Sequence, residues 1–509
     1  MESLSKGLTL EATATTINEQ ARYQIAVALT IIALIATRLV VASLAPLAFD
    51  EALYWRWSQH LAFGNLDHPP MTPLLIWAGT ALFGDTPFGV RVMVVILNIP
   101  ASWCVWRAAA ILFKSDRIGA TAALYFNLTL AAIAGSVLAT PDFPVVTTSA
   151  FLLLFLAKLL QSGRGEWWLA IGAAFGIGMF TKYSTLFFAV SILVWLLLVP
   201  GLRKWFFSPW PWAGGIIALA CFAPVLIWNA QHDWASVLYQ SKRLVVHQLR
   251  LSYLAEYPAT QIGLATPPIF ILGYIGMARF LTSKSEPNAA RVLIATLVMP
   301  IAIYFFWHSF HGRVEGNWPM PMYPAFVVAA AVAAESLSWH GVTARIAVWS
   351  RQLAAPFSIG VGALIYLQTI FGFIPLGYAD PTARALGAGW IPLAAQIDDI
   401  RKRNGAPIVL TADYGVTSWL SFYLPSHPPV EQVNTRMRWI NEPSPDPDLF
   451  KGMMLFVCQG KCREAAWLSK RFQLVELITT IERTRNGVAI TPYQIFRVAK
   501  PIGAPLDPP

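Results

Sequence analysis

The chain has 509 residues, 56% hydrophobic and only 13% charged, with a mean hydropathy of +0.53. Soluble domains carry about 25% charged residues, so a purely water-soluble protein is excluded. The formal net charge of +10 does not imply nucleic acid, because no nucleic-acid motif accompanies it and much of the excess lies in short loops between apolar runs, as positive-inside topology expects.

A polar tail, residues 1–22, is expected to be cytoplasmic. The first apolar run, 23–47, is longer than a signal-peptide core and lacks a small-residue cleavage site, so it reads as an uncleaved span. About 20 apolar residues cross a bilayer as a helix. On that basis the chain is predicted to cross about eleven times, at 23–47, 88–113, 118–136, 141–160, 167–181, 183–200, 212–230, 257–280, 291–308, 319–337 and 345–376. The stretch 71–83 is apolar but short and is expected to lie at the interface. Lys114, Arg117, Lys158, Arg164, Arg203, Lys204, Arg279, Lys284, Arg291 and Arg345 mark the cytoplasmic loops. Loops 48–87, 137–141, 231–256 and 309–318 then face outward, although Lys242, Arg243 and Arg250 run against the rule.

The fold expected is mainly α: a polytopic membrane domain, 23–377, followed by a small α/β domain, 378–509. Strands are predicted at Pro407–Thr411, Met453–Cys458 and Ile490–Val498, and helices at Ile391–Arg403, Val416–Leu424 and Cys462–Arg471. Cys458 and Cys462 bracket a turn, as a disulfide or as two thiols. Cys104 and Cys221 lie within spans as apolar filler.

Chemistry-bearing residues cluster in the outward segments. Asp50-Glu51 directly follows the first span, and carboxylates at a hydrocarbon edge are costly unless paired or hydrated. A helix N-terminus alone accounts for Glu51, but less well for its companions Tyr54, Trp55 and Trp57. Asp67-His68-Pro69-Pro70 sets an acid and an imidazole before a rigid turn. Thr140-Pro141-Asp142 is a good helix start on the same face. Lys182, in Thr181-Lys182-Tyr183, is the only charge between Trp168 and Arg203; it either snorkels or meets a phosphate. His308, His311, Arg313, Glu315 and Asn317 crowd one short loop pinned by Trp318-Pro319. Acids and cations at one membrane level suit a phosphate-bearing, lipid-linked substrate. Asp413-Tyr414-Gly415, in the C-terminal part, could touch an acceptor glycan or form an Asx-type turn, the reading preferred.

These motifs, in this order across about residues 20–335, resemble the bacterial branch of the protein-mannosyltransferase-like glycosyltransferases of GT-C fold, whose relatives include the lipid A aminoarabinose and galacturonosyl transferases. The resemblance implies inverting transfer from a polyprenyl-phosphate-linked sugar to an envelope glycan, lipid or protein acceptor. It implies a site and C-terminal domain facing the periplasm, in a bacterial inner membrane. Asp50 would be the general base, Glu51 would orient the acceptor or the loop, and Asp142 would bind acceptor or sugar hydroxyls beside the reaction. Lys182 and Arg313 would neutralise the departing phosphate. Tyr54, Asp67, His68, Tyr183, His311, Glu315 and Asn317 are the expected substrate contacts. No cofactor is required; a divalent metal is left open, with Asp67, His68 and His308 as candidate ligands. An oligosaccharide ligase or polymerase would show a large Arg- and His-rich outer loop, which 231–256 only partly resembles. A transporter or flippase would place ionisable groups at midspan, whereas here they stand at span ends.

Overall fold

A computed structural model describes residues 2–242, 249–282, 288–335, 339–460, 462 and 465–508; Arg243 and Lys284 lie outside the described residues. The membrane portion is α1 (Glu2–Leu44), α2 (Phe49–Ser58), α3 (Met71–Phe83), α4 (Pro87–Ile96), α5 (Asn98–Phe113), α6 (Asp116–Leu128), α7 (Leu130–Gly135), α8 (Asp142–Ser162), α9 (Trp167–Met179), α10 (Leu186–Leu198), α11 (Pro209–Gln231), α12 (Ala235–Lys242), α13 (Glu256–Ala265), α14 (Pro267–Thr282), α15 (Ala289–His308), α16 (Tyr323–Glu335) and α17 (Gly341–Phe371). Among the described residues six helical stretches are long and apolar enough to cross a membrane: 18–44, 87–113, 142–162, 209–231, 289–308 and 341–371. Three shorter apolar helices lie at Met71–Phe83, Trp167–Met179 and Met320–Glu335. Two bent pairs raise the candidate spans among the described residues to eight if each pair is one span, while the span expected at 118–136 is the two short helices α6 and α7. The tail expected before residue 23 continues into α1 as one helix.

The stretch expected as a single span at 257–280 is a bent helix pair. Its helices, Leu251–Ala265 and Pro267–Thr282, meet at 104°. Thr266 adopts φ 65° between them, and Pro267 and Pro268, lacking amide hydrogens, cannot continue the preceding ladder. The other pair, Tyr183–Leu198 and Pro200–Phe207, turns by 118°.

Helices approach closely where side chains vanish. A Cβ on Gly172 of α9 would stand 2.0 Å from the Gly214 carbonyl of α11, and one on Gly276 of α14 would stand 2.2 Å from the Ala329 carbonyl of α16. Such contacts fix helices by packing where lipid supplies no hydrophobic drive. The α9–α11 contact brings the segments after Met179 and around Asn229 to one end of the bundle. At the opposite end Glu335 holds Arg117 (2.6 Å) and Arg351 (3.5 Å), tying α6, α16 and α17 together.

The C-terminal portion adds α18 (Pro381–Ala385), α19 (Trp390–Arg403), β1 (Val409–Thr411), α20 (Tyr414–Tyr423), β2 (Val430–Gln432), β3 (Met454–Gln459), α21 (Ala465–Leu468), β4 (Phe472–Arg485) and β5 (Val488–Pro501). The sheet order is β2-β1-β3-β5-β4, parallel around β1 and antiparallel from β3 to β4. The three predicted strands are present. Strands β2 and β4 were not predicted, and among the described residues the helix expected over Cys462–Arg471 is represented by α21. Cys458 and Cys462 form a disulfide, with Cα atoms 5.8 Å apart. Helices α19 and α20 cover one face of the sheet through Trp390, Leu393, Val416 and Trp419 packed on Val409, Leu455, Val457 and Ile495.

This α/β region sits on the helix ends that carry the candidate residues. The Leu47 carbonyl, just after α1, accepts from Trp419 Nε1 (2.9 Å) and Gly387 N (2.8 Å). Arg56 of α2 forks onto Glu442 (2.8 and 2.6 Å), and its guanidinium lies 4.4 Å from the Trp439 ring centroid. Asn486 in the β4–β5 turn donates to the Phe371 carbonyl at the end of α17 (2.8 Å).

Candidate active site

The two carboxylates that open α2 have opposite fates. Glu51 is fully buried. Its carboxylate receives Arg91 Nε (2.7 Å) and Nη2 (2.6 Å), Ala48 N (2.8 Å) and Ala139 N (2.9 Å). The bond to Ala48 is the reaching-back half of a capping box, and the bond to Ala139 holds the segment that leads into Thr140-Pro141-Asp142. Arg91 also donates to the carbonyls of Ala42, Ala45 and Pro46. Every acceptor position of Glu51 is thus committed inside the protein. Of the two roles expected for Glu51, orienting the acceptor or the loop, these contacts favour the loop.

Asp50 carries no hydrogen bond or ion pair among the described residues and is only partly buried. Burial first, then the charges of Asp67 and Asp142, push its pKa from 3.8 to about 7, with the Arg438 guanidinium opposing them. An unpaired carboxylate that gains and loses its proton near neutrality has the property of a general base.

Beside it, Asp142 at the start of α8 accepts from Lys182 Nζ on Oδ1 (2.6 Å) and from Asn317 Nδ2 on Oδ2 (2.8 Å), with Thr140 Oγ1 at 3.1 Å. Three segments predicted from separate loops therefore meet at one carboxylate. The α9–α11 packing sets the height of Lys182, and Asn317 arrives on the short connection between α15 and α16.

A third carboxylate, Asp67, is buried and forked by Arg438, with Nε to Oδ2 at 2.8 Å and Nη2 to Oδ1 at 3.0 Å. Burial works to raise the Asp67 pKa, but the Arg438 hydrogen bonds and charge hold it below the ordinary carboxylate value. Arg438 comes from the C-terminal region and lies 4.2 Å from the Tyr414 ring centroid. His68 is in electrostatic reach of both Asp67 and Asp142, and its ring meets Tyr54 edge-on at 6.2 Å. The buried Tyr54 phenol is held neutral, its pKa raised by burial and by the charges of Asp50, Asp67 and Asp142. Tyr54 thus lies within electrostatic reach of three carboxylates.

Other expected site residues make their contacts elsewhere. The Arg313 side chain is 58% exposed and pairs with Glu256 (2.7 Å) and Glu315 (3.7 Å), not with those carboxylates. Glu315 is itself exposed. His311 stays on its own helix turn against Trp307. The Tyr183 hydroxyl lies 2.9 Å from Ser236 Oγ and receives Asn229 Nδ2 at 3.5 Å. Among the described residues no three His, Cys, Asp or Glu side chains gather as a metal site. Asp67 already spends both oxygens on Arg438, and His308 is packed against Tyr304 and Trp318. Asp413 caps α20 by accepting from Val416 N (2.9 Å), as the turn reading expected.

Two arginines were missed. Arg91 had a signal in the sequence: an isolated charge in an apolar run, which by default marks a functional or bracing position. Arg438 had none, since its partner lies across the chain in the first outer loop.

Residues 67–228 match the family described as dolichyl-phosphate-mannose-protein mannosyltransferase. Lipid A galacturonosyltransferase RgtD of Rhizobium johnstonii is 27% identical over 331 residues, covering 63% of this chain. The match covers 66% of that relative's length, just short of two thirds. The crystal structure of ArnT from Cupriavidus metallidurans bound to undecaprenyl phosphate superposes with a TM-score of 0.63 at 13% identity, covering 95% of this chain and 99% of ArnT. Its apo form gives 0.60 at 15% identity, covering 97% and 100%. The chain has the GT-C fold of a multi-pass membrane protein, and its sequence is related to a lipid A-modifying enzyme.

Proposed function

We propose that this chain, a GT-C membrane protein related to lipid A glycosyltransferases, is an inverting glycosyltransferase. It moves one sugar from a polyprenyl-phosphate donor to lipid A or another envelope glycan. The site and the C-terminal region, 378–509, face the periplasm across a bacterial inner membrane. RgtD and undecaprenyl phosphate-bound ArnT supply the analogy for acceptor and donor; the geometry supplies the roles.

The observation that carries the reading is Asp50, an unpaired carboxylate with a pKa pushed up to about 7, beside Asp142 with its own cation and amide. In the proposed step the acceptor oxygen attacks the anomeric carbon from the face opposite the phosphate. Its proton passes to Asp50, and the bond from the anomeric carbon to the phosphate oxygen breaks, releasing polyprenyl phosphate. One displacement without a covalent intermediate inverts the centre and needs one base. Asp142, fixed by Lys182 and Asn317, orients acceptor or sugar hydroxyls. Glu51 and Arg91 hold the loop that aims Asp50.

Mass spectrometry of lipid A and core oligosaccharide tests this, in cells with and without the gene. Loss of a single sugar mass on deletion, restored by the wild-type gene, is expected. An unchanged lipid A and core profile would remove the proposed acceptor.

A further inference from the structure

A phosphate leaving a sugar carbon needs a cation, because negative charge builds on it in the transition state. The two cations that the sequence offers are engaged elsewhere. Lys182 Nζ is bound to Asp142, and Arg313 is exposed among glutamates.

Arg438 differs in three respects. It stands among the site carboxylates, forked to Asp67 and close enough for its charge to act on Asp50. Its guanidinium is fixed on one edge by the fork to Asp67, by a 3.3 Å bond from Nη2 to Tyr239 Oη, and on one face by Tyr414. Nη1 has no hydrogen-bond partner among the described residues, and it is not among their fully buried unpartnered atoms, so it keeps accessible surface for a further partner. A guanidinium matches the planar spacing of phosphate oxygens better than an ammonium. Because Asp67 and Tyr414 already immobilise it, little side-chain entropy is lost when an anion docks.

We infer that Arg438, carried into the site by the C-terminal region, receives a phosphate group of the substrate on its Nη1 edge. This rests on the proposed function, since a phosphate-bearing substrate is its premise. It makes the C-terminal region part of the binding site rather than a cover over it. Both the lipid-linked donor and a phosphorylated lipid A acceptor present such a group, so the shared chemistry is a phosphate ester at the membrane surface.

The test uses the full-length protein in detergent and two probes, undecaprenyl phosphate and bisphosphorylated lipid A, with affinity read by native mass spectrometry. Arg438→Gln strands the Asp67 carboxylate, so the double variant Asp67→Asn/Arg438→Gln, which removes both charges, keeps the test open if the single variant misfolds. Loss of a charge-assisted hydrogen bond should weaken binding of undecaprenyl phosphate about tenfold or more in both variants. Arg438→Lys should restore part of it. Weakening seen only with lipid A keeps the assignment and makes the phosphate the acceptor's. If the double variant binds both probes as tightly as wild type, Arg438 is not the phosphate contact and the proposed function stands without it. If the wild-type protein binds neither probe, the proposed function fails and this inference with it.

Discussion

Asp50→Asn keeps the shape of the side chain and removes its charge, so two effects should separate by pH. The pKa is raised from 3.8 to about 7, so the folded state binds the proton more tightly than the unfolded chain. Between those values the native protein holds one more proton, and stability falls as pH rises, flattening above about 7. Three pH units at roughly 1.4 kcal/mol each give about 4 kcal/mol as an upper bound, reduced by whatever water reaches this partly exposed group. Asp67, Asp142 and Glu51 push in the same direction, and Arg438 opposes them. Wild type and Asp50→Asn should therefore unfold at similar temperatures below about pH 4, under the ordinary carboxylate value. At pH 8.5 the variant should be the more stable. Activity should do the reverse: wild-type turnover should rise through about pH 7, as the base ionises, and the variant should lose about 10²–10⁴-fold at pH 8. Thermal unfolding by intrinsic fluorescence and a transfer assay across the same pH range would measure both. Equal unfolding temperatures at pH 8.5, or a variant that retains turnover, would refute the reasoning.

Glu51→Gln should be far more damaging to stability than to any single kinetic constant, because it leaves Arg91 buried without its counter-charge. Breaking one partner of such a pair costs about 3–5 kcal/mol, and Glu51→Gln/Arg91→Met should recover part of the lost folded yield in size-exclusion chromatography. Asn317→Ala removes one bond to a charged acceptor, worth about 1.5–3 kcal/mol; kcat/KM should fall roughly 10- to 100-fold with the unfolding temperature little changed. Arg313→Gln should leave turnover within about twofold of wild type, since exposed ion pairs contribute about 0–1 kcal/mol. A large loss there would return Arg313 to the site.

The first outer loop, Thr140-Pro141-Asp142, Lys182 and Asn317 were legible in the sequence because each stands at a span end. Topology alone then puts them at one membrane level, and the structure brings Asp142, Lys182 and Asn317 into hydrogen-bonding contact. What topology does not give is direction. Asp50 and Glu51 are adjacent and chemically alike, yet one helical step turns Glu51 onto Arg91 and leaves Asp50 open. Arg438 was hidden for a related reason, since no local pattern reports a fork formed with Asp67 across 371 positions. The bend at Thr266 was written in the sequence as Pro267-Pro268, and apolar content outweighed it in the span assignment. Strand β4 escaped because Glu476, Thr479, Thr480 and Glu482 give it polar positions on a lightly buried edge of the sheet.

The most direct measurement combines purified protein with polyprenyl-phosphate sugars and lipid A extracted from the host membrane at pH 8, read by mass spectrometry. The account predicts that lipid A or its core gains one sugar mass while polyprenyl phosphate appears in equal amount, with wild type and not with Asp50→Asn. No sugar gain with wild-type protein, or the same gain with Asp50→Asn, would contradict it.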